Sequence, residues 1–429
     1  MKIALLGYGV EGASAYRYLS SRYPEAEFEV YDNAETPKYE IPDGVAFRGG
    51  VTSFHDIDAD MVMRTPAIPP YTVTSRGKIS SVTEEFFEAC PVPIIGITGT
   101  KGKGTTASLI AAMLEKAGIK TWLVGNIGLS SLDILDEVTA HDAEGKSGVV
   151  VYELSSFQLW DMKKSPHVAI VLMIEPEHLN VHESFDDYVR AKSNIVKYQT
   201  PEDIAIYFAD NDVSATIAKS SAGVKIPYHV EDGEALMIDG KEIARRDDIL
   251  LYGEHNVGNV QAAMLAAWQF TQDAQAIRAA IKEFHGLPHR LEKVAEKSGI
   301  LYINDSFSSA PPATVAALRA FKQPKIVIMG GYDRGLDFTD TARQIVAEPD
   351  VKKALLLGQT KHRIAAGFKE CDWRSYEVLE DDFAAAVQRA HELADPGDVI
   401  ILSPGCASFD MFKNFAERGD TFKELVSEL

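Results

Sequence analysis

One pattern constrains this chain more than any other: three times, a short apolar strand is followed by a glycine-bearing loop and a helical segment. The first strand is Lys2 to Leu6, the second is Pro93 to Thr98, and a third set begins near Gly299. This succession is typical of parallel βα units. We therefore predict an α/β protein, and solenoid or fibrous repeats are excluded because no period of that kind occurs.

Length and turn chemistry divide the chain into three parts. At roughly 150 residues per domain, 429 residues correspond to about three domains. Pro-rich and Gly-rich breaks occur at Cys90 to Pro93 and at Gly286 to Pro288. We predict an N-terminal Rossmann-like domain at 1–90, a central P-loop ATPase-type parallel sheet at 91–287, and a doubly wound, Rossmann-like C-terminal domain at 288–429.

The charge balance excludes one class of partner. Lys and Arg total 43 against 63 Asp and Glu, which gives a formal net charge of −20. A chain this acidic repels a polyphosphate strand or an anionic bilayer, so nucleic acid is not an expected partner. Small phosphorylated ligands are still allowed, because backbone amides and a few cations suffice to bind them.

Cysteine usage and hydropathy indicate the compartment. Cys90, Cys371 and Cys406 are far apart and form no C-x-x-C pair, so neither a disulfide framework nor a zinc site is expected. No apolar run approaches the roughly 20 residues that span a bilayer, and no signal peptide is evident. We expect a soluble cytoplasmic monomer without membrane insertion.

The first glycine loop, Gly7-Tyr8-Gly9-Val10-Glu11-Gly12, matches G-x-G-x-x-G, and Asp32 follows a second strand twenty residues later. This is the dinucleotide-binding fingerprint in its usual context. A complete dinucleotide domain needs two mononucleotide halves, however, and only about 90 residues precede the next glycine loop. A nucleotide-like ligand is therefore preferred here over a nicotinamide cofactor or a purely structural turn.

The second glycine loop predicts an ATP site. It runs from Gly96 to Thr106 between an apolar strand and a helix, the context of a P-loop, although Gly104 stands where a Ser or Thr should follow the lysine. Thr105 can offer its hydroxyl to Mg²⁺ one position later. The predicted phosphate-binding residues are Gly99, Thr100, Lys101, Gly102, Lys103, Gly104, Thr105 and Thr106.

Two further residues suit a magnesium site. Glu153 ends an apolar strand and so lies at the carboxyl edge of a sheet, where α/β proteins bind ligands. A hard carboxylate there suits Mg²⁺ that bridges ATP phosphates. His178 follows the next strand and is a second candidate ligand. A solvated acid and a structural histidine are the alternatives that the residues alone leave open.

Motifs along the whole chain, together with the phosphate loop, resemble those of the Mur ligase family. They are Glu153-Leu154-Ser155-Ser156-Phe157-Gln158-Leu159, His178-Leu179-Asn180, Tyr188 with Ala191-Lys192, Gly286-Leu287-Pro288-His289-Arg290, Asn304-Asp305-Ser306, and Leu402-Ser403-Pro404 through Phe415. The similarity runs from Gly7 to the last helix.

The resemblance implies an ATP-dependent, amide-forming ligase of peptidoglycan precursor synthesis. Its substrates would be UDP-N-acetylmuramoyl-L-alanine and glutamate, with the D form preferred and the L form left open. The alanine carboxylate attacks the γ-phosphate of ATP, an acyl phosphate forms with the help of Mg²⁺, and the glutamate amine displaces phosphate.

The resemblance also assigns roles to residues. It implies catalytic Lys103, Glu153, His178 and Lys192, with Mg²⁺ bound by Thr105, Glu153, His178 and a carbamylated Lys192. Asn256, Asn259, Arg290 and Asp305 would contact ATP. The UDP substrate would contact Gly9, Val10, Glu11, Asp32, Asn33, Asn126 in the loop Gly125 to Gly128, Ser155 and Gln158. Glutamate would contact Arg334, Ser408 and Phe415.

The sequence departs from the family pattern mainly where the amino acid should bind. Phe307-Ser308-Ser309 replaces the usual Lys-Ala-Thr, and Arg334 stands where a lysine is expected. Arg334 can grip a carboxylate bidentately, but the cation missing at Phe307 has to come from elsewhere or be absent. In addition, Asn180 replaces a common Asp, and Asp32-Asn33 lacks a nearby arginine.

Three other functions remain as alternatives. A folylpolyglutamate synthase-like ligase would share the ATP chemistry but use a pterin substrate. A non-catalytic muropeptide-binding protein would keep the fold without ATP turnover. A nicotinamide oxidoreductase would use the first glycine loop for its cofactor.

Overall fold

The computed structural model describes residues 1–126, 128–230 and 233–429, and internal contacts divide them into two compact units. The first unit comprises Met1–Ile249 with Val257–Lys282, and the second comprises Leu250–Asn256 with Glu283–Leu429. The α/β prediction is confirmed, because three sheets of five or six mostly parallel strands carry the fold.

The N-terminal sheet is entirely parallel, with strand order β3-β2-β1-β5-β7, and a separate parallel pair joins β4 to β6. Its elements are β1 (Lys2–Leu6), α1 (Val10–Arg22), β2 (Glu27–Tyr31), β3 (Ala46–Arg48), β4 (Phe54–Ile57), β5 (Met61–Arg64), β6 (Val73–Ser75), β7 (Lys78–Ser81) and α2 (Val82–Ala89).

The central sheet, also parallel, has the order β13-β12-β11-β8-β10-β9. The elements of this region are β8 (Ile94–Thr98), α3 (Lys103–Lys116), β9 (Lys120–Gly125), α4 (Leu135–Ala143), β10 (Gly148–Glu153), α5 (Ser156–Leu159), β11 (Val168–Val171), α6 (Phe185–Lys197), β12 (Ile204–Phe208), α7 (Asp212–Lys219), β13 (Val224–Tyr228), the hairpin β14 (Ala235–Ile238) and β15 (Lys241–Arg245), α8 (His255–Trp268) and α9 (Ala274–Glu283).

Strands β8 and β10 are buried along their whole length, as expected for β-branched runs covered on both faces of a parallel sheet. Parallel strands end at one edge, so the loops that follow them meet there. The helix after the phosphate loop begins at Lys103, inside the segment Gly96 to Thr106 that the sequence assigns to the loop. The reason is Gly102, whose φ of 87° ends the loop and lets helical geometry start at once.

The N-terminal and central sheets share one hydrophobic core within the first unit. Phe86 and Phe87 of α2 pack edge-on or tilted against Tyr152 of β10, with ring centroids 5.7 and 5.6 Å apart. Such aromatic contacts bury large areas in a fixed geometry. The first two predicted domains therefore lie in one compact unit; their boundary at 90, like that at 287, stays a prediction.

The second unit has a sheet of order β16-β17-β21-β18-β19-β20, parallel except for the β16–β17 hairpin. Its elements are β16 (Glu292–Lys297), β17 (Ile300–Asn304), α10 (Pro311–Arg319), β18 (Lys325–Met329), α11 (Thr339–Ala347), β19 (Val351–Leu356), α12 (Lys361–Glu370), β20 (Tyr376–Val378), α13 (Phe383–Leu393), β21 (Val399–Leu402) and α14 (Phe415–Glu428).

This sheet is doubly wound, as predicted. Neighbouring residues of one strand enter cores on opposite faces: Ile400 lies in one cluster and Ile401 in the other. Sequence reasoning missed strand β16, because its charged residues place it at a solvated edge with no apolar run to indicate a strand.

Within the described ranges, no helix combines the length and apolar character needed to cross a bilayer.

Replacing Ile401 with alanine tests this core. Ile401 is fully buried on the central strand β21, so its truncation should lower the free energy of unfolding by about 2–5 kcal/mol. Val378→Ala, at the exposed end of edge strand β20, should cost less than about 0.5 kcal/mol. Urea unfolding of both variants measures the difference, and equal losses would contradict the two-core description.

Candidate functional site

The phosphate loop lies between β8 and α3, and most of its residues are buried. Thr100, Thr105 and Thr106 are all buried, whereas Lys101 is exposed. The hydroxyl of Thr106 lies 3.4 Å from the Asn259 side-chain oxygen on α8. The structure therefore brings Asn259 to the loop, as predicted. Exposed amides at a helix N-terminus favour a bound anion.

Lys103 starts helix α3 and folds over its own loop. Its Nζ donates to the carbonyl oxygens of Gly99 and Thr100, each at 3.0 Å. The ammonium thus lies at the loop centre, where backbone amides and the helix dipole already favour negative charge. A phosphate group fits this arrangement.

Lys192 approaches the same carbonyl from α6. It is buried, its Nζ donates to Gly99 O at 2.9 Å and to Thr98 Oγ1 at 3.3 Å, and it lies 4.7 Å from the ring centroid of Tyr188. Burial lowers its pKa well below the ordinary lysine value, and the charge of Lys103 lowers it further. The site therefore favours a neutral amine at position 192.

Glu153 ends β10 beside the loop strand, in register with Ile97 of β8 and Gly125 of β9. Its Oε1 accepts from Asn126 Nδ2 at 3.2 Å, while Oε2 is buried and has no hydrogen-bond partner among the described residues. Buried acceptors are normally paired, so an orphaned carboxylate oxygen indicates a missing donor or cation. The arrangement fits a divalent cation.

His178 has a left-handed backbone, with φ of 57°. Its ring is half-buried, 4.9 Å from the ring of Phe157 and 6.4 Å from that of Tyr188. Burial lowers its pKa, which favours the neutral imidazole that metals bind. Strained backbone of this kind concentrates at functional sites.

The described residues contain no cluster of three or more His, Cys, Asp or Glu side chains suited to a metal. Glu153 and His178 alone therefore do not complete a metal site. Other oxygen donors, such as a threonine hydroxyl or phosphate, have to supply the remaining positions.

A buried network near His178 escaped sequence reasoning. His182 Nδ1 donates to Asp187 Oδ2 at 2.9 Å, and its Nε2 lies 2.9 Å from Ser156 Oγ. The ring stacks on Phe157, with centroids 5.4 Å apart. The network ties the loop after β11 to α5. A second histidine four residues after His178 was the only available signal, and nothing in the sequence gave its partners.

The N-terminal glycine loop is close to Asp32, as the fingerprint predicts. Asp32 Oδ2 accepts from Tyr8 N at 2.6 Å and Oδ1 from Ala34 N at 2.9 Å. Asn33 Nδ2 donates to Val51 O at 2.7 Å, and Val10 is 57% exposed. A ligand at this loop would meet an exposed apolar side chain and a turn that Asp32 holds in place.

Ser155 and Gln158 form a capping box at α5. Gln158 Nε2 also donates to Glu11 Oε1 at 3.2 Å, so the predicted UDP-substrate residues Glu11 and Gln158 are in contact. Burial raises the pKa of Glu11 to about 7. Ile127 of the predicted substrate loop lies outside the described residues.

In the second unit, Asp305 is buried after β17. It accepts from Ser308 Oγ at 2.5 Å, from Ser403 Oγ at 2.8 Å and from Leu291 N at 3.2 Å. Burial raises the pKa of Asp305 to about 6, and these hydrogen bonds offset part of the increase. Asn256 also belongs to this unit, and its Nδ2 donates to Tyr252 O at 2.7 Å. The structure does not relate these residues to the phosphate loop, so their ATP contacts stay predictions.

The predicted glutamate residues follow two adjacent strands, β18 and β21, of the second sheet, and Phe307 follows the next strand, β17. The Arg334 guanidinium lies 5.6 Å from the ring centroid of Phe409, and Phe307 packs edge-on against Phe415 at 5.1 Å. Ser408, which directly precedes Phe409 in the chain, is buried. In the described ranges, no acidic side chain forms an ion pair with Arg334, which leaves its charge available to an anion.

Family models match two regions of the chain: the Mur ligase middle domain matches residues 97–267, and the Mur ligase glutamate ligase domain matches residues 289–406. The UDP-N-acetylmuramoylalanine–D-glutamate ligase of Acetivibrio thermocellus is 36% identical, covering all of this chain and 96% of that protein. The protein of the same name from Clostridium tetani is 33% identical, with 100% and 97% covered.

This chain belongs to the Mur ligase family. Solved Mur ligases share its fold. The Thermotoga maritima UDP-N-acetylmuramate–alanine ligase superposes with a TM-score of 0.61 at 17% identity, covering 100% of this chain and 99% of that one. The MurF ligase of T. maritima, solved with ADP, gives 0.59 at 15% identity, with 99% and 95% covered. As a Mur ligase, the chain is an ATP-dependent ligase, in agreement with its predicted phosphate loop.

Replacing Gly102 with alanine tests the loop. A Cβ at this position would overlap the Asn259 side-chain oxygen, and the φ of 87° adds strain. Gly118→Ala is the matched control, because its φ is 79° but no atom lies within 4 Å of the added Cβ. Both variants should lose about 1–2 kcal/mol of stability. Only Gly102→Ala should also weaken binding of a fluorescent ATP analogue, by about tenfold. Equal affinities of the two variants for the ATP analogue would rule out crowding between the added Cβ at residue 102 and Asn259.

Proposed function

We propose that this chain joins D-glutamate to UDP-N-acetylmuramoyl-L-alanine, using ATP, in peptidoglycan precursor synthesis. One observation carries the proposal: curated relatives that match this chain from end to end are named for that reaction, at 33–36% identity. The phosphate loop with Lys103 would bind the ATP phosphates, and the orphaned Glu153 oxygen would bind Mg²⁺. Nothing comparable supports a pterin substrate or a nicotinamide cofactor.

The loop Gly99–Thr106 would bind the ATP phosphates. Lys103 now donates to two loop carbonyls, and a γ-phosphate oxygen is a stronger, charged acceptor at the same place. Asn259 beside the loop would contact adenine, together with Asn256. Arg290 and Asp305, from the second unit, would contact the phosphates and the nucleotide respectively.

Thr105, Glu153, His178 and a carbamylated Lys192 would hold Mg²⁺. When bound, the ion neutralises charge that develops on the phosphates during transfer. Glu153 presents its orphaned oxygen, and Asn126 fixes the other oxygen so that the carboxylate cannot turn away. The lowered pKa of Lys192 supplies the neutral amine that reaction with CO2 requires.

The UDP end of the substrate would lie on the N-terminal glycine loop, contacting Gly9, Val10, Glu11, Asp32 and Asn33. Asn126, Ser155 and Gln158 would face its sugar-linked alanine. The alanine carboxylate would attack the γ-phosphate, the bond to the β-phosphate would break, and ADP would leave, so that an acyl phosphate forms. The glutamate amine would then attack the acyl carbon, form the amide and release phosphate. Both sheets that provide these residues lie in one compact unit.

Glutamate would be held by Arg334, Ser408 and Phe415. The unpaired guanidinium matches the side-chain carboxylate of glutamate, and stacking on Phe409 limits its rotamers. With Phe307 in place of a lysine, Arg334 carries this recognition without a second cation there. We also propose that the protein acts as a monomer in the cytoplasm, where ATP is available and its three cysteines stay reduced.

Lys192 should become carbamylated. Protein equilibrated with ¹³C-bicarbonate should show a carbamate carbon signal by NMR that Lys192→Gln abolishes, together with most of the activity. Lys325 is the matched control, because it is also buried and its pKa is also lowered by burial. Lys325→Gln should keep the signal. A spectrum without any carbamate in active enzyme would contradict the modification.

Phosphate release in omission experiments tests the reaction. Release should require ATP, UDP-N-acetylmuramoyl-L-alanine and D-glutamate together, and L-glutamate should not replace the D form. Lys103→Ala should reduce kcat by roughly 10³-fold or more, since it removes charge stabilisation at the transferred phosphoryl group. Turnover with a pterin acceptor would refute the proposal in favour of another ligase. If neither the wild type nor Lys103→Ala released phosphate and the two proteins behaved alike, the proposal would be refuted in favour of a binding protein.

A further inference from the structure

Arg64 is a fully buried arginine at the end of β5, outside the residues that the proposed reaction uses. All five of its N–H groups have acceptors. Nη1 donates to Thr65 O at 3.2 Å and Ile68 O at 2.8 Å, which fixes the turn of its own sheet. Nε donates to Asp161 Oδ2 at 3.0 Å, and Nη2 donates to Asp161 Oδ1 and to Phe157 O.

These acceptors come from both sheets of the first unit. Thr65 and Ile68 follow the N-terminal strand β5, whereas Phe157 and Asp161 lie in and just after α5 of the central region. A planar guanidinium with every donor used has a fixed orientation, so Arg64 holds the segments after β5 and around α5 in a fixed position relative to each other.

The segment that Arg64 holds follows the candidate cation ligand directly. Glu153 ends β10, Ser155 caps α5, and Asp161 lies just beyond the helix. A second contact between the sheets holds the middle of this segment, where Gln158 donates to Glu11 of α1. α5 is only four residues long, so it depends on such external contacts for its place.

We propose that Arg64 is a positioning residue: its fork to Asp161 and Phe157 fixes the Glu153–Asp161 segment against the N-terminal sheet. This proposal rests on the proposed function, because the sugar-linked substrate held by the N-terminal sheet has to meet a phosphate held by the central one. Fixing the distance between the two sheets keeps the attacking carboxylate in line with the phosphoryl group.

A structural role alone predicts something different. Removing one partner of a buried ion pair leaves the other charge buried without compensation, whereas removing both avoids that cost, so we expect the double variant to fold. If Arg64 only fills space, that protein should keep wild-type turnover. If Arg64 positions the segment, turnover should fall while ATP binding is kept.

The test compares Arg64→Met/Asp161→Asn with a matched control, Arg17→Gln. Arg17 of α1 also makes a bidentate pair across the two regions, with Asp133 at 2.7–3.1 Å, but it does not touch α5. In the double variant, amide hydrogen exchange of residues 154–161 should accelerate about tenfold or more. Its kcat should fall by roughly tenfold or more, because a misplacement near 1 Å costs up to about 10²-fold. KM for ATP should stay within about twofold.

Arg17→Gln should change neither exchange in this segment nor kcat. Unchanged exchange and turnover in the double variant would overturn the proposal, as would an equal loss in Arg17→Gln, which would indicate general loosening of the interface. If the double variant does not fold, Arg64→Lys replaces it: lysine keeps the charge but lacks the fork, so wild-type exchange and kcat in that variant would also overturn the proposal. Hydrogen exchange is measured without substrate, so it tests the role of Arg64 whether or not the wild-type enzyme has ligase activity. A wild-type enzyme without that activity would refute the proposed function instead.

Discussion

Two lysine side chains converge on the carbonyl oxygen of Gly99, and the first unit is arranged around this contact. Lys103 reaches it from the helix that the loop opens, and Lys192 reaches it from α6, almost ninety residues later. Burial lowers the pKa of Lys192, and the charge of Lys103 lowers it further. Lys103 then carries the positive charge at this point, and neutral carbonyls compensate it only in part. A polyphosphate ligand would supply the missing negative charge, which is why an otherwise acidic protein can bind one at this point.

The surrounding scaffold keeps this contact in place. Glu153 ends the neighbouring strand; one of its oxygens accepts from Asn126, and the other has no donor in the part of the chain that the structure describes. The buried His182 network and the Arg64 fork hold the segments that follow, so the polar groups next to the loop have little freedom. Preorganisation of this kind stabilises developing charge without reorganisation during the reaction.

The second unit presents a different kind of surface. Its candidate edge carries a guanidinium among aromatic rings, Arg334 with Phe409 and Phe307 with Phe415, and no ion pair of Arg334 occurs within residues 1–126, 128–230 and 233–429. These loops follow the ends of adjacent strands, which is the basis of our proposal that they form one site. Recognition of an anionic amino acid by one arginine is consistent with bidentate geometry, which a single lysine cannot provide.

Much of this could be read from the sequence. Glycine-rich loops between apolar strands and helices indicated parallel α/β units, because strand periodicity and glycine conformations are local properties. The resemblance of motifs gave the family and the candidate residues. The sequence could not give strand β16, whose charged residues show no apolar run, or the partners of His182 and Arg64, because those contacts join segments far apart in the chain.

The sequence by itself determined that a phosphate loop, a strand-end carboxylate and a helical lysine were present. Only the tertiary structure decided that Lys192 is buried against Gly99, that one oxygen of Glu153 lacks a partner among the described residues, and that Glu11 contacts Gln158. The physical reason is that desolvation and hydrogen-bond satisfaction depend on every group packed around an atom. A residue's type and its neighbours in sequence do not specify that environment.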